Sequence, residues 1–249
     1  MKTDVGLIGK GKWGTNIKKS LNKIANLRFA IGKKEKFLST IAKNNIKWIF
    51  IATPNNTHYS IIKKCFQKNI NVFCEKPLCL TAIKAKKLID IAKKKNLKLY
   101  VSDIYDFYGK KIKKLNLKNS VYRSKLVNGN DSEFFNRFMY HDVSIFYKFL
   151  KKNSFKKSII YADKKKKFYE IEIKLKKKQL IKFTYDLNYK KKIHIVNDYH
   201  IKSKENLLTK MIFNVINNKV NFKENNLKAI FIIKFLKKIK KKSFHKKLK

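Results

Sequence analysis

A glycine pattern near the N-terminus constrains the fold of this chain most strongly. Gly9, Gly11 and Gly14 are spaced as G-x-G-x-x-G, after the apolar segment Asp4–Ile8 and at the start of the helical pattern Trp13–Ile24. In a strand–loop–helix unit these glycines permit a tight turn, close approach of a pyrophosphate and close packing of helix on strand. Amides at the helix N-terminus then bind the diphosphate. The residues of this loop that we assign to a dinucleotide are Gly9, Gly11, Lys12, Trp13 and Gly14.

The rest of the first half alternates short apolar runs with longer segments of helical periodicity. Trp48–Ala52 is a continuous apolar run, which is typical of a parallel strand buried on both faces. We therefore predict an α/β Rossmann domain with a parallel sheet over residues 1–103. The predicted strands are Asp4–Ile8, Leu27–Ile31, Trp48–Ala52, Asn71–Cys74 and Leu97–Val101, and the predicted helices are Trp13–Ile24, Lys36–Lys43, Thr57–Lys68 and Thr81–Lys95.

The pattern changes after Asp103, where short strand-like segments follow one another. They predict a shortened α+β domain with a mostly antiparallel sheet over residues 104–249, for substrate binding and oligomerisation. Its predicted strands are Ser120–Val127, Ser158–Tyr161, Tyr169–Leu175, Gln179–Tyr185 and Lys191–Val196, and its predicted helices are Phe134–Leu150, Glu205–Asn217 and Asn225–Ile239. The apolar stripe Ile171, Ile173 and Leu175 fits either an oligomer interface or the inner face of the sheet.

The chain has a formal net charge of +47, which ordinarily points to nucleic acid or an anionic membrane. Arginine makes the bidentate contacts to guanine and phosphate, yet it occurs only at Arg28, Arg123 and Arg137. The lysines are spread along the whole chain, as an A+T-rich coding sequence would place them. We expect weak, salt-dependent adsorption to polyanions and no specific nucleic-acid partner.

Targeting and metal signals are missing from the sequence. The N-terminal residues lack the apolar stretch of a secretory signal, and Ala229–Ile233 is far shorter than the roughly 20 apolar residues that span a bilayer. We expect a cytoplasmic protein without a membrane partner. Cys65, Cys74 and Cys79 form no C-x-x-C pair, which favours buried free thiols over a disulfide framework or a metal site.

The end of the second predicted strand bears on the choice of cofactor. A carboxylate that binds the adenosine ribose is expected there, yet the sequence reads Gly32, Lys33, Lys34 and Glu35. Lysines at this point could accept a 2′-phosphate, which favours NADP over NAD and makes Lys33 a candidate cofactor ligand. The alternative is that both lysines belong to the general surface excess.

Two further motifs carry a family resemblance. Residues 51–58 read I-A-T-P-N-N-T-H and residues 75–77 read E-K-P. In this order, after this glycine loop, they resemble the A-T-P-N-x-x-H and E-K-P signatures of the glucose-fructose oxidoreductase, inositol dehydrogenase and MocA-like (Gfo/Idh/MocA) family. The resemblance extends over most of the chain and implies NADP or NAD as cofactor.

The resemblance also implies roles for individual residues. In the family the E-K-P lysine lies beside nicotinamide and substrate, so Lys76 is the catalytic candidate, with Glu75 orienting it and Pro77 following a cis peptide bond. The residues that would line the nicotinamide side of the cofactor are Ala52, Thr53, Pro54, Asn55 and His58, together with the E-K-P segment. His58 could otherwise be an ordinary capping or surface histidine.

A second catalytic candidate lies in the second half. His141 resembles the histidine of the family's D-x-G-x-H segment, and histidine suits the removal of a hydroxyl proton as a hydride leaves. Four residues earlier the family commonly has aspartate, but here Arg137 is found. Either the acid–base pair is incomplete, or Arg137 binds an anionic group of the substrate. Asp142 is a further candidate for substrate contact.

The activity implied by the resemblance is NAD(P)-dependent hydride transfer between nicotinamide and a hydroxyl or ketone carbon of a sugar, sugar derivative or polyol. A homo-oligomer is expected by the same analogy. Arg137 and the short second domain motivate an alternative, an NAD(P)-binding protein with impaired catalysis and a regulatory or assembly role.

Overall fold

The computed structural model describes residues 2–32, 37–42, 44–108, 120–128, 138–153, 155–163, 165–176, 179–197, 199–201 and 206–247. The chain divides into two compact units. Unit 1 comprises Met1–Phe107 and Glu205–Lys234, and unit 2 comprises Tyr108–Lys204 and Phe235–Lys249.

The elements of regular structure are as follows in chain order. The helices are α1 (Lys12–Ile24), α2 (Phe37–Ala42), α3 (His58–Gln67), α4 (Ala82–Lys94), α5 (Tyr140–Ile145), α6 (Tyr147–Lys152), α7 (Leu207–Ile216) and α8 (Phe222–Lys242). The strands are β1 (Asp4–Ile8), β2 (Asn26–Ile31), β3 (Trp48–Ile51), β4 (Asn71–Cys74), β5 (Leu99–Val101), β6 (Ser120–Asn128), β7 (Phe155–Asp163), β8 (Phe168–Leu175), β9 (Leu180–Asp186), β10 (Asn188–Val196), β11 (Tyr199–His200) and β12 (Ser243–Lys247).

Unit 1 contains the predicted parallel sheet, with strand order β2-β1-β3-β4-β5. Every pair in it is parallel. The Rossmann-type α/β fold is therefore confirmed for this unit. The strand order reverses between β1 and β3, and ligands of such sheets bind outside the carboxyl ends of the strands at that point.

Two apolar layers cover the faces of this sheet. Alternate residues of a strand point to opposite faces, so Trp48 and Phe50 of β3 pack with α1 and α7, whereas Ile49 and Ile51 pack with α3, α4 and α8. All four side chains are fully buried. Burial on both faces explains why β3 is a continuous apolar run.

The C-terminal helices change the domain assignment made from sequence. Residues 205–234, which the sequence analysis placed in the second domain, belong to unit 1. Met211 and Ile212 of α7 join the layer around Trp48, while Ala229 and Ile233 of α8 join the opposite layer. Each helix completes a layer over the parallel sheet. Sequence periodicity reveals an apolar helix face, but not which sheet that face covers.

Unit 2 is built on one seven-stranded sheet, with strand order β11-β10-β6-β9-β8-β7-β12. The pairs β6–β9 and β7–β12 are parallel and the other four are antiparallel. The predicted mostly antiparallel sheet is thus confirmed. Ile171 and Ile173 are 0% exposed within the single chain, so the apolar stripe of β8 is the inner face of the sheet.

Three features of unit 2 differ from the sequence analysis. The predicted helix Phe134–Leu150 is described as two short helices, α5 and α6, and residues 134–137 lie outside the described part of the chain. Strands β11 and β12 were not predicted. The sequence of β12, S-F-H-K-K, shows little apolar alternation, and its strand conformation comes from pairing with β7.

The three cysteines confirm the prediction of buried free thiols. Burial raises the pKa of Cys65 and of Cys79 to about 12. Among the described residues, the helices include none with both the length and the apolar character needed to cross a membrane.

Candidate cofactor and active site

The predicted motifs of unit 1 meet at the carboxyl edge of its sheet. The residue that follows each of β1, β3, β4 and β5 donates a backbone hydrogen bond to the last residue of the neighbouring strand. These bonds run from Gly9 to Ile31, from Ala52 to Ile8, from Glu75 to Ile51 and from Ser102 to Cys74. The glycine loop, the A-T-P-N loop and the E-K-P loop are therefore neighbours along one edge.

Main-chain contacts require glycine at two of the three glycine positions of the loop. Gly9 has φ +112°, and a Cβ there would lie 2.3 Å from the Ala52 carbonyl oxygen. At Gly14 a Cβ would lie 1.9 Å from the carbonyl oxygen of Gly9. At Gly11, by contrast, φ is −69°, ψ is −179°, and a Cβ would meet nothing within 4 Å. The fold itself needs glycine at Gly9 and Gly14 and leaves open space above Gly11.

That open space lies at the N-terminus of α1. Gly11 is the N-cap residue, no side chain caps the helix, and the first turn contains no acidic residue. The first amides of a helix have no partner within the helix and carry partial positive charge. The arrangement fits an anion such as a diphosphate. Lys12 and Trp13 are exposed beside it, Trp13 to 43%.

The A-T-P-N loop is braced by local hydrogen bonds. The Thr57 hydroxyl lies 2.7 Å from both the Thr53 hydroxyl and the Pro54 carbonyl oxygen. His58 is 0% exposed, and its ring nitrogens each lie 2.9 Å from a carbonyl oxygen, that of Thr53 or that of Pro77. His58 is therefore neither a capping nor a surface residue. Asn55 is half-buried in the same loop.

The E-K-P loop contains the predicted cis peptide bond, between Lys76 and Pro77. Glu75 is buried, and its Oε2 accepts a hydrogen bond from the Lys76 amide at 3.3 Å. Burial raises the pKa of the Glu75 carboxyl above its ordinary value. Side-chain hydrogen bonds with Trp13 and Ser102 and the positive charge of Lys76 lower the pKa, but by less. Glu75 Oε1 makes no hydrogen bond within the described part of the chain. This oxygen is buried within the loop at the carboxyl edge of the sheet.

Replacing Glu75 by Gln should make the free energy of unfolding less dependent on pH. A carboxyl whose pKa is raised by folding stabilises the protein below its unfolded pKa, and this contribution is lost as pH rises through the folded pKa. The unfolded reference here is 4.5. The variant should gain stability relative to the native chain as pH rises above about 4.5. Urea unfolding followed by tryptophan fluorescence at pH 4 to 8 measures it, and a gap that stays constant with pH would contradict it.

Sequence reasoning missed a polar cluster that anchors α8 beside β5. The Asn225 side chain accepts from the Val101 amide at 2.8 Å and donates to the Val101 carbonyl oxygen at 2.9 Å. Lys228 Nζ lies 2.6 Å from Asp103 Oδ2 and 2.7 Å from Asp106 Oδ1. Burial lowers the pKa of Lys228, but the two carboxylates outweigh it and raise the pKa overall. One lysine among so many gives no sequence signal.

The predicted residues of unit 2 differ in their exposure. Asp142 is 0% exposed, and its Oδ2 accepts a hydrogen bond from the Tyr185 hydroxyl at 2.8 Å. This bond ties α5 to β9, so the geometry favours an internal role for Asp142 over direct contact with a substrate. His141 is half-buried on the same helix. Lys33 and Arg137 lie outside the described residues.

A second groove and a metal centre were considered as alternative sites. A groove of about 590 Å³ lined by Lys2, Asp4, Asn22 and Asn26 lies at the amino ends of β1 and β2, the edge where such sheets do not bind ligands. The described residues include no cluster of three or more His, Cys, Asp or Glu side chains arranged to hold a metal ion.

Comparison with known proteins points to one family. Residues 15–103 match the model of the Gfo/Idh/MocA oxidoreductase family, described as having an NAD-binding Rossmann fold. A segment of 61 residues is 41% identical to an uncharacterised oxidoreductase of Schizosaccharomyces pombe, covering 24% of this chain and 16% of that protein. A segment of 57 residues is 36% identical to the D-xylose 1-dehydrogenase (NADP(+)) of Hypocrea jecorina, covering 23% and 15%. The matches thus span less than a fifth of these relatives.

The fold likeness extends further than the sequence likeness. The structure of UDP-N-acetylglucosamine 3-dehydrogenase from Acidithiobacillus ferrooxidans superposes with a TM-score of 0.79 over 98% of each chain, at 14% identity. This likeness concerns both units and establishes the fold alone.

Proposed function

We propose that this chain, whose residues 15–103 match the model of the Gfo/Idh/MocA oxidoreductase family, is an NAD(P)-dependent dehydrogenase or reductase acting on a hydroxyl or ketone carbon of a sugar or sugar derivative. The open space above Gly11 carries this proposal. Nothing in the fold requires glycine there, but a pyrophosphate resting on the main chain does.

The cofactor would be held by three loops of unit 1. Amides at the start of α1, near Gly11 and Lys12, would bind the diphosphate. The segment from Ala52 to Asn55 would line the nicotinamide side, and the E-K-P loop that contains the buried Glu75 would lie beside it. The bound nicotinamide would supply the hydride acceptor or donor.

Proton transfer would be the task of two residues, Lys76 and His141. Oxidation of a carbinol requires a group that removes the hydroxyl proton while the hydride leaves. Lys76 directly follows the buried Glu75, whose Oε2 accepts from the Lys76 amide and so fixes the main chain that carries this side chain. We propose Lys76 for hydrogen bonding to the reacting oxygen and His141 for proton removal.

A carbohydrate substrate is supported by the names of similar proteins. The relatives and structural neighbours include a D-xylose 1-dehydrogenase and a UDP-N-acetylglucosamine 3-dehydrogenase. Both act on sugars or sugar nucleotides. The competing proposal, a cofactor-binding protein with impaired catalysis, is favoured by Arg137, which stands where the resembling family has aspartate.

Cofactor binding is tested by the fluorescence of the two tryptophans. Trp13 is 43% exposed beside the glycine loop, whereas Trp48 is fully buried in the core. Saturable quenching by NADPH or NADH at fixed moderate salt is expected, and Trp13→Phe should remove most of the change, because Trp48 alone remains. Linear, salt-sensitive quenching of the kind any anion would cause on a chain of +47 would count against the proposal.

Catalysis is tested by incubation with oxidised cofactor and a panel of sugars and sugar nucleotides. Turnover should fall about 10²- to 10⁴-fold in Lys76→Met and in His141→Gln, the usual contribution of a positioned proton-transfer group. Lys84→Met, on the exposed side of α4, serves as the control for loss of one lysine charge. Tight cofactor binding with no turnover of any compound would favour the non-catalytic alternative.

A further inference from the structure

His58 links the two loops that carry most of the proposed nicotinamide contacts. Thr53 lies in the loop after β3 and Pro77 in the loop after β4, and the ring reaches the carbonyl oxygens of both at 2.9 Å. Both ring nitrogens are therefore used by the main chain. The fully buried side chain presents neither nitrogen to a ligand, unlike the lining role that the family resemblance implied.

The ring acts as a spacer of fixed length between the loops. Its nitrogens occupy set positions in a rigid plane, so the two carbonyl oxygens are held at a set separation. The Thr53 end has local support as well, since Thr57 contacts both Thr53 and Pro54. At the other end, Pro77 directly follows Lys76. Loss of the ring contacts should therefore displace the Lys76–Pro77 segment more than the Thr53 segment.

We propose that His58 is a positioning residue, which sets where Lys76 lies relative to the nicotinamide by holding the carbonyl group of Pro77. It acts through the main chain and touches neither cofactor nor substrate. The inference rests on the proposed function for the identity of the ligand. It assigns His58 a task that is separate from the binding of the diphosphate at Gly11.

Two substitutions separate this task from packing. His58→Gln retains one donor group, which can reach one of the two carbonyls. His58→Phe keeps a ring of similar size and removes both ring nitrogens. His200→Gln, at an exposed histidine on β11, is the matched control. Lys76→Met shows what loss of the positioned ammonium does by itself.

The test compares the affinities of the oxidised and the reduced cofactor in each folded variant. The Lys76 ammonium repels the positive oxidised nicotinamide but not the neutral reduced one. Displacement of Lys76 should therefore relieve this repulsion, and the affinity for the oxidised form should rise relative to the affinity for the reduced form. A shift of about 10-fold in the ratio of the two affinities is expected in His58→Phe, because small misplacements of site groups have effects of this order or more. Lys76→Met should shift the ratio in the same direction, and His200→Gln should leave it unchanged.

A general loss of stability would give a different result. If His58→Gln and His58→Phe melt at lower temperature but keep the native ratio of affinities, the proposal is overturned. If neither variant folds, the native protein labelled with ¹⁵N-histidine provides the test. The ring N–H of His58, assigned through contacts to Pro77 and Thr53, should exchange slowly with water, and rapid exchange would overturn the proposal. Failure of the native protein to bind either cofactor would instead refute the proposed function.

Discussion

Replacing Gly11 by Asp should strongly weaken dinucleotide binding and leave unit 1 as stable as before. The backbone at Gly11 has φ −69°, which any residue adopts, and the new side chain would meet no atom of the protein within 4 Å of its Cβ. Asp is also a good N-cap residue, worth about as much as glycine or a few tenths of a kcal/mol more. The carboxylate would occupy the place proposed for the diphosphate. Repulsion of about 1 to 4 kcal/mol between charges near 4 Å corresponds to a loss of roughly 5- to 700-fold in affinity.

The neighbouring glycine supplies the opposite control. In Gly14→Ala a Cβ would lie 1.9 Å from the Gly9 carbonyl oxygen, a main-chain atom of the same loop. Overpacking of this kind costs about 1 to 3 kcal/mol, which exceeds the gain of about 1 kcal/mol from alanine in a helix. Gly14→Ala should lower stability and affinity together. Lys19→Gln on the exposed face of α1 is the control for the change in net charge that Gly11→Asp introduces. If Gly11→Asp binds NAD(P)H normally, the diphosphate site is elsewhere.

Local sequence signals predicted the parallel sheet and the loops at its carboxyl edge. Trp48–Ile51 had to be apolar at every position because both faces of β3 are covered, and this leaves a continuous run that the sequence displays. The glycine loop is equally visible, because Gly14 is required by the carbonyl oxygen of Gly9, five residues earlier. Such requirements arise between near neighbours in sequence or within one strand.

Contacts between distant segments could not be predicted in the same way. The periodicity of α7 indicates a helix, but its place over unit 1 depends on which sheet offers an uncovered face. The role predicted for His58 came from a family resemblance. Only the structure shows that its ring lies between the carbonyl oxygens of Thr53 and Pro77. The buried ion pair of Lys228 could not be predicted, because in a chain with 63 lysines and arginines a single lysine gives no signal.

Replacing Lys228 by Met should destabilise unit 1 by about 3 to 5 kcal/mol, the usual cost of removing one partner from a buried ion pair. The Lys228 and Asp103 side chains are only 8% and 5% exposed, and Nζ lies 2.6 Å from Asp103 Oδ2. Methionine has a similar length and helix propensity, so the loss reports the charge and not the helix. Both tryptophans belong to unit 1, and urea unfolding followed by their fluorescence therefore measures the stability of this unit.

Two comparisons separate the ion pair from other effects of the substitution. Lys234→Met, at an exposed position of the same helix, should change stability by no more than about 0.5 kcal/mol. Adding Asp103→Asn to Lys228→Met should recover part of the loss, since the buried carboxylate is then no longer charged. Equal losses in Lys228→Met and Lys234→Met would show that the ion pair contributes nothing.

The pH dependence gives an independent check on the same cluster. Asp103 and Asp106 raise the pKa of Lys228 above its ordinary value of 10.5. A cation whose pKa is raised by folding stabilises the protein below its unfolded pKa, and the contribution disappears as pH rises through the folded pKa. The gap between native protein and Lys228→Met should thus stay constant through neutral pH and narrow above about pH 10.5. A gap that instead widened as pH approached 10.5 and then stayed constant would mean that burial outweighs the two carboxylates, and that Lys228 is held in place by packing.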